Sequence, residues 1–263
     1  MYIGCNWSKP LKFLLERKEV KIDYIKSGAY GNFNELFSTM RSMHPIMLHG
    51  LGYFERTGMK DTDIIDFNLA NQLIRDCNSP HFGIHLSIKN SDMYSGMTDE
   101  DIHNHMSKQI QIFKKNIQVP LLLENTPDSP QDCIIFDHYP YIMPEQLNRL
   151  FVENDVSFLL DLTHAKITAQ YHGWNIYEYI LQLPLNRVLE IHINGYDKEG
   201  FPADTHQAMG NEDYKLLEWV LNYTNPNVVT LEYNGVDTDN DDTITLSLKK
   251  QLREIQNICN PNK

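Results

Sequence analysis

The sequence has few cysteines and no long apolar run. Its four cysteines (Cys5, Cys77, Cys133 and Cys259) show no CxxC spacing, so we expect free thiols rather than a disulfide framework. No stretch approaches the roughly 20 apolar residues of a membrane span. The opening segment MYIGCNWSKPLKFLLERKEV lacks the basic start and apolar run of a signal peptide. These absences predict a cytoplasmic protein that has no membrane partner.

Basic residues are also scarce relative to acidic ones. The chain has 23 Lys and Arg against 35 Asp and Glu, which gives a formal net charge of -12. Such a balance argues against general attraction to a polyanion, although a local basic groove would override it. We therefore expect no nucleic-acid partner. With 41% hydrophobic and 22% charged residues, the composition is that of a globular protein.

Short apolar runs alternate with helix-patterned segments along all 263 residues. Eight runs are predicted strands: YIGCN, IDYIKS, PIMLHGLG, FGIHLS, PLLLEN, SFLLDLTH, VLEIHING and VVTLEYNG. A helical pattern follows each of them, which predicts the α/β class and a closed (β/α)8 TIM barrel. An open doubly wound sheet is the alternative. No linker or composition shift interrupts the pattern, so one barrel domain is predicted over 1–263.

Nine potential metal ligands lie at the carboxyl ends of these strands or in the loops that follow them. They include five of the 11 histidines, and they are His49, His85, Glu124, Asp161, His164, His192, Asp204, His206 and Glu232. Strand residues alternate between two faces, so His192 faces the barrel axis when Ile191 and Ile193 face the helices. Asp204 and His206, two residues apart in an extended segment, are expected to project the same way about 6–7 Å apart.

A single histidine near a strand end is usually a hydrogen-bonded structural residue, and a carboxylate there is often a helix cap. The joint pattern favours cations, because buried carboxylates are costly unless they are paired or bound to metal. The four carboxylates carry four negative charges, and three divalent ions would carry six positive ones. Mixed imidazole and carboxylate ligands suit iron, zinc or manganese alike.

Other residues are predicted to support this site. Glu190 would face inward one layer below His192 and orient it through a hydrogen bond, and Asn125 follows Glu124. The loops after the strands are long, which places the functional face of a barrel there. Their aromatic residues are candidates for substrate contact, chiefly Tyr53, Trp174 and Tyr196.

Several segments resemble a known family. LHGLG, LLLENTP, VVTLEYNG and the stretch from Phe158 to His206, which contains LPLNRVLEIHING, are similar to the multinuclear non-heme iron-dependent oxidases of the methanobactin-biosynthesis type. That family lies within the xylose-isomerase-like TIM barrel superfamily. The resemblance implies an oxidase or oxygenase that uses O2 at a di- or tri-iron site to modify a peptide, at cysteine. A partner protein that presents the peptide is also compatible with it.

The resemblance also implies how the ligands divide among the ions. A first metal would be held by His49, His85 and Glu124. A second would share Glu124 and add Asp161, His192 and Glu232, and a third would take His164, Asp204 and His206. Many members of the oxidase family carry Asn at the position of His164.

Other functions share parts of this pattern. Endonuclease IV, a trizinc nuclease, has a similar nine-ligand plan, including a histidine at the position of His164. The acidic run VDTDNDDT on the presumed active face would repel a phosphate backbone. A metal-dependent sugar isomerase or epimerase would need a lysine or carboxylate near the metal, for which Lys26 and Lys166 are available. Metal storage without catalysis is a further alternative.

Overall fold

Eight parallel strands close into a barrel in the computed structural model, which describes residues 1–51, 59, 62–135, 139–198, 202–235 and 241–260. The barrel strands are β1 (Tyr2–Asn6), β2 (Tyr24–Ser27), β3 (Ile46–His49), β4 (Phe82–His85), β5 (Leu121–Glu124), β6 (Ser157–Asp161), β7 (Val188–Ile193) and β10 (Val228–Leu231). Each pairs with the next in this order, and β10 pairs with β1. The predicted closed barrel is confirmed over the open sheet.

Ten α-helices follow or connect the strands in the described part of the chain. They are α1 (Lys9–Glu16), α2 (Phe33–Arg41), α3 (Phe67–Cys77), α4 (Asp99–Asn116), α5 (Pro130–Ile135), α6 (Pro144–Asn154), α7 (Leu162–His172), α8 (Ile176–Leu181), α9 (Asn211–Val220) and α10 (Asp241–Cys259). Side chains cap several first turns, such as Ser8 in α1 and Thr98 in α4. Among these residues, no helix is long and apolar enough to cross a membrane.

The apolar core lies between the barrel and its helices. Phe82 and Phe158 on the strands and Phe113 and Phe151 on the helices are fully buried there. The interior of the barrel differs because it carries polar residues near the carboxyl ends of the strands. This division follows from the twofold alternation of strand side chains, as the sequence predicts for β7.

Strand register brings the polar positions to one level. His85 on β4 pairs with Glu124 on β5, and Asp161 on β6 pairs with His192 on β7. His192 also pairs with Thr230 on β10. The carboxyl ends of neighbouring strands therefore present histidine and carboxylate side chains side by side.

Two segments differ from the sequence prediction. The run SFLLDLTH is strand only as far as Asp161, because the side chain of Asp161 accepts a hydrogen bond from the backbone N–H of His164 and starts α7. The predicted loop after β7 contains an antiparallel hairpin of β8 (Gly195–Asp197) and β9 (Ala203–Gln207). Asp204 and His206 therefore lie on a strand of this hairpin.

Some predicted positions lie outside the described residues. These are Tyr53 in the loop after β3 and Asp237 and Asp239 in the acidic run before α10.

Candidate metal centre

Glu124 lies at the middle of the candidate ligands. Its Oε2 atom lies 2.5 Å from Nε2 of His49 and 3.2 Å from Nε2 of His85. Its Oε1 atom lies 3.1 Å from Nδ1 of His192 and 3.6 Å from Nδ1 of His164. Both carboxylate oxygens therefore face imidazoles, each on a different side.

A second group forms around His192. Its Nδ1 atom lies 3.5 Å from Oε1 of Glu232 and 4.0 Å from Oδ2 of Asp161. Potential ligand atoms of Glu124, Asp161, His192 and Glu232 all lie within 4.8 Å of one another, and so do those of His49, Glu124 and His192. Two atoms that each lie about 2.0–2.2 Å from a shared ion are at most about 4.4 Å apart. The separations between these candidate ligand atoms are therefore close to those expected around a metal ion.

A third group forms around Asp204. Its Oδ2 atom lies 3.1 Å from Nε2 of His164 and 3.3 Å from Nε2 of His206. His206 reaches this position from a left-handed backbone conformation, with φ of 49°, rather than from a regular extended segment. Its Nε2 atom also lies 3.8 Å from Oε2 of Glu232, which links this group to the second one.

One candidate ligand atom shows that the residues present fit a metal ion. The Oδ2 atom of Asp161 is buried and has no hydrogen-bond partner among the residues that the structure describes. An ionised carboxylate oxygen in such a place costs free energy unless a cation neutralises it. Because this oxygen faces the same space as Glu124 and His192, the residues present fit a metal ion.

Hydrogen bonds beneath the site orient His192. The Nε2 atom of His192 lies 3.1 Å from Oε1 of Glu190, which also accepts a hydrogen bond from Thr230. His81 binds the other oxygen of Glu190 at 2.6 Å. Glu190 thus takes one ring nitrogen of His192 and leaves Nδ1 facing the candidate ligands.

Asn125 connects two further ligands. Its side chain donates to the backbone carbonyl of Asp161 and accepts from the backbone N–H of Asp161. Its backbone carbonyl lies 2.7 Å from Nδ1 of His164, which directs Nε2 of that ring toward Asp204. Glu190 and Asn125 therefore each contact candidate ligands.

The ionisation of the metal-free site follows from burial and from neighbouring charges. Burial lowers the pKa of His49 to about 4, so its imidazole is neutral at pH 7. Burial raises the pKa of Asp161 to about 6. For Glu124, burial acts in the same direction, but the charges of His85, His49 and His192 outweigh it and hold the pKa well below its usual range.

His164 behaves differently from His49. Burial opposes its ionisation, but the charge of Asp161 and the hydrogen bond with Asp204 overcome this effect and raise its pKa well above the usual range. A metal ion would have to displace that proton, because only a neutral imidazole binds metal.

Gly83 on β4 provides room for His49. A Cβ atom at this position would lie 2.9 Å from Cδ2 of His49 and 3.2 Å from Cδ1 of Leu159. We therefore expect Gly83→Ala to move the imidazole away from Glu124 and to weaken metal binding about tenfold, with the barrel still folded. Competition with a chelator measures the metal affinity, and circular dichroism shows whether the variant is folded.

Gly210→Ala is the control for this substitution, because its Cβ would make only an ordinary contact with Asp213 at 3.7 Å. Equal metal affinities for the Gly83→Ala and Gly210→Ala proteins would contradict the role given to Gly83.

A cavity of about 510 Å³ opens directly above the ligands. Its wall on the side of β1, β2 and α2 is largely apolar and includes Trp7, Tyr30, Leu36 and Met40. His49, His85, His164, Asp204, His206 and Glu232 line the other parts of it. A molecule bound in the cavity would therefore reach the candidate metal centre.

A family model for the RiPP precursor modification enzyme MbnB/TglH/ChrH matches residues 16–259. The chain belongs to this family. The resemblance seen in its sequence segments is confirmed. A UPF0276 protein of Acaryochloris marina is 27% identical over an alignment of 175 residues, which covers 64% of this chain and 61% of the relative. The chain thus spans less than two thirds of that relative's length.

Solved structures confirm the xylose-isomerase-like barrel. The IOLI protein with a bound zinc atom has a TM-score of 0.65 and 14% identity, covering 100% of this chain and 99% of the other. A xylose isomerase domain protein of Alicyclobacillus acidocaldarius has a TM-score of 0.58 and 14% identity, covering 98% and 99%. Endonuclease IV of Thermus thermophilus has a TM-score of 0.59 and 14% identity, covering 97% and 99%.

Two of the aromatic substrate candidates, Trp174 and Tyr196, are not among the described residues that line this cavity. Trp174 lies in a separate surface groove beside Tyr179 and stacks on His172, with ring centroids 4.4 Å apart. Tyr196 is buried beneath Lys166 and donates a hydrogen bond to Gln170. Trp174 follows α7, and Tyr196 lies on the β8–β9 hairpin. The sequence pattern treats both segments as open loops, so it does not predict these positions.

Lys26, which the sequence offers only as an available lysine for an isomerase, lies among the candidate metal ligands. It lies on β2 and its side chain enters the ligand group, where Nζ donates to Oε1 of Glu232 and lies 3.3 Å from Nδ1 of His192. Burial lowers its pKa, and the charges of Glu124 and Glu190 oppose that shift. Its place on the inward face of β2 is the signal that could have identified it.

Proposed function

We propose that this protein is an iron-dependent oxidase or oxygenase that modifies a cysteine of a precursor peptide with O2. The observation that supports the proposal is that nine imidazole and carboxylate side chains, all candidate ligands, lie close together at one end of the barrel in a member of a RiPP precursor modification family. Two or three iron ions would be held there. The IOLI structure, whose barrel is similar, contains zinc, and zinc or manganese is the alternative metal.

The ligand groups support more than one ion. His49 and His85 would bind one ion with Glu124, and Glu124 presents its other oxygen to His192. A carboxylate with imidazoles on both sides suits a bridging ligand between adjacent ions. Iron bound there would supply the redox chemistry with O2 and would favour the thiolate form of a substrate cysteine.

The chain's own residues would hold and desolvate the peptide. Trp7, Tyr30 and Met40 form an apolar wall next to the ligands, so a side chain that neighbours the reactive cysteine would lose water against it. We propose these wall residues as substrate contacts. Trp174 and Tyr196 would contact peptide only outside the cavity, and Tyr53 stays a candidate.

A mass measurement tests this function. The protein is loaded with ferrous iron without oxygen and mixed in air with the precursor peptide encoded beside its gene. We expect a mass change localised to a cysteine, and no change in a peptide that carries Ser at that position. Protein loaded with zinc is the control for redox chemistry, since zinc has no accessible redox change.

The main alternative is metal-assisted phosphodiester hydrolysis, because endonuclease IV has a similar barrel. Among the residues that line the described cavity, Lys26 is the only lysine or arginine, which gives a phosphate backbone little positive charge to bind. Unchanged peptide together with cleavage of abasic DNA by the zinc-loaded protein would overturn the oxidase proposal.

Lys26 also gives a sugar isomerase one of the groups that it requires, a lysine beside the metal ligands. Conversion of an aldose to a ketose by the manganese-loaded protein, with no change in any neighbouring peptide, would favour that function instead.

A further inference from the structure

We infer that the surface groove beside Trp174 binds a lysine or arginine side chain of the precursor peptide, at a distance from the cysteine that is modified. The inference rests on the proposed function, because it takes a peptide as the substrate, and it adds a second contact site for that peptide. Its basis is an exposed aromatic ring that is held in a fixed position beside the carboxylate of Glu178.

The groove is formed by the start of α6, the end of α7 and α8, and it has a volume of about 480 Å³. Met143, Pro144, Trp174 and Tyr179 form its apolar part. Met143 is 48% exposed and Trp174 is 36% exposed. Large apolar side chains that are exposed together mark interaction sites, because water in contact with them is unfavourable and a bound molecule displaces it.

The end of α7 fixes the backbone of Trp174. Gly173 takes a left-handed conformation with φ of 67°, which ends the helix. The N–H of Gly173 donates to the carbonyl of Gln170, and the N–H of Trp174 donates to the carbonyl of Ala169. These two bonds form a Schellman motif, which attaches Trp174 firmly to the last turn of the helix.

The ring of Trp174 is also held in place. It stacks on the imidazole of His172, with ring centroids 4.4 Å apart and an angle of 18° between the planes. Nε2 of His172 donates to Oδ2 of Asp128 at 2.7 Å, and the backbone N–H of Asp128 donates to Thr168. An aromatic side chain that is ordered before binding loses less entropy on binding, so this arrangement favours a ligand.

The charge of the groove indicates what kind of side chain it binds. Glu178 is the only charged residue among the described residues that line it. The hydrogen bonds that Glu178 makes to described residues involve its backbone, so they leave its carboxylate available. A lysine or arginine side chain fits both features, because its cation pairs with this carboxylate and is attracted to the face of a tryptophan ring.

The groove lies close to the candidate metal centre. Thr126 and Pro127 line the cavity above the ligands, and the next residue, Asp128, holds His172. His164 and His172 are eight residues apart on α7, which corresponds to about 12 Å along the helix axis. Because an extended peptide rises about 3.3 Å per residue, the basic residue should lie at least about four residues from the modified cysteine.

Peptide binding to the zinc-loaded protein tests the inference without any oxidation. The probe is the precursor peptide encoded beside the gene, labelled with a fluorophore, and fluorescence anisotropy measures its affinity. We expect Trp174→Ala to weaken binding by about tenfold and Glu178→Gln by about threefold. Replacing one Lys or Arg of the peptide by Ala should have the effect of Trp174→Ala and should add little to it, since both changes remove the same contact.

An exchange of charges tests the pairing with Glu178. Glu178→Lys should weaken binding of the unaltered peptide by about tenfold, because two cations would then face each other. A peptide that carries Glu in place of the basic residue should bind to the Glu178→Lys protein more tightly than to the wild type.

Tyr2→Ala and Glu254→Gln are the matched controls. Tyr2 is an exposed aromatic residue at the start of β1, and Glu254 is an exposed carboxylate on α10, which packs against α1 and α9. Both variants should bind the peptide as the wild type does. Circular dichroism establishes that each variant is folded. If Trp174→Ala does not fold, Trp174→Leu takes its place and is expected to show the same loss of affinity.

Wild-type affinity in the folded Trp174 and Glu178 variants would overturn the inference, and so would an equal loss in the two controls or no binding by the wild type. A wild-type dimer that Trp174→Ala converts to a monomer in sedimentation would also overturn it, since a second copy of the chain would then occupy the groove. Failure of the proposed function has a different signature. The peptide would bind with the expected dependence on Trp174 and Glu178, but its cysteine would keep its mass with iron and O2.

Discussion

Replacing Asp161 by Asn is expected to stabilise the metal-free protein at pH 7 and to weaken its metal binding. The carboxylate is fully buried, and its Oδ2 atom has no hydrogen-bond partner in the described part of the chain. Burial raises its pKa to about 6 from an ordinary 3.8. Such a difference corresponds to about 2–3 kcal/mol of unfolding free energy. Asn keeps an oxygen that can cap α7 through His164.

The sign follows from linkage. Because the folded-state pKa of Asp161 is raised, its contribution to stability is full below about 4 and is lost as the pH rises through about 6. The variant has no such loss. Urea unfolding of the metal-free proteins should therefore give a difference that grows between pH 4 and 6 and is constant above.

Metal reverses the comparison. A divalent ion stabilises the ionised carboxylate, which is destabilising in the metal-free protein. The wild type should therefore gain more stability from metal than the Asp161→Asn protein does. Lower stability of the metal-free variant at pH 7, with its fold intact, would contradict the unsatisfied state of Asp161.

Glu124→Gln is expected to lower metal affinity by more than about 100-fold and to abolish peptide modification, since loss even of groups that only orient ligands costs 10–100-fold. The two oxygens of Glu124 face His49 and His192 on opposite sides. An amide has the same shape, but it lacks the charge and replaces one oxygen by a nitrogen that does not bind metal. A single substitution therefore affects two ligand groups at once.

Glu153→Gln is the matched control for this change. Glu153 is half exposed on α6 and pairs with Arg149 and His103, away from the barrel axis. Metal titration followed by calorimetry compares the two variants with the wild type. If Glu124→Gln bound metal with the affinity of the wild type, Glu124 would not be a metal ligand.

The barrel was predictable because each strand is a short apolar run followed by a helical pattern. The level of the ligands was predictable for the same reason, since polar residues that end such runs must meet at the carboxyl ends of parallel strands. His192 shows this best, because Ile191 and Ile193 on either side of it are buried in the outer core.

Three features were not predictable. The loop after β7 forms a hairpin, and His206 reaches Asp204 through a left-handed backbone that no strand pattern encodes. Lys26 looks like an ordinary lysine in a strand until the closed barrel brings Glu232 beside it. Gly83 matters only because the ring of His49 packs over it. Each depends on contacts between distant parts of the chain.

The metal content of the protein after anaerobic purification tests the central claim most directly. Elemental analysis with Mössbauer spectroscopy counts the iron and shows whether the ions are adjacent. The ligand geometry around Glu124 predicts at least two iron ions per chain with magnetic coupling between them. A folded protein that takes up no iron or other divalent metal, or only a single isolated ion, would contradict it.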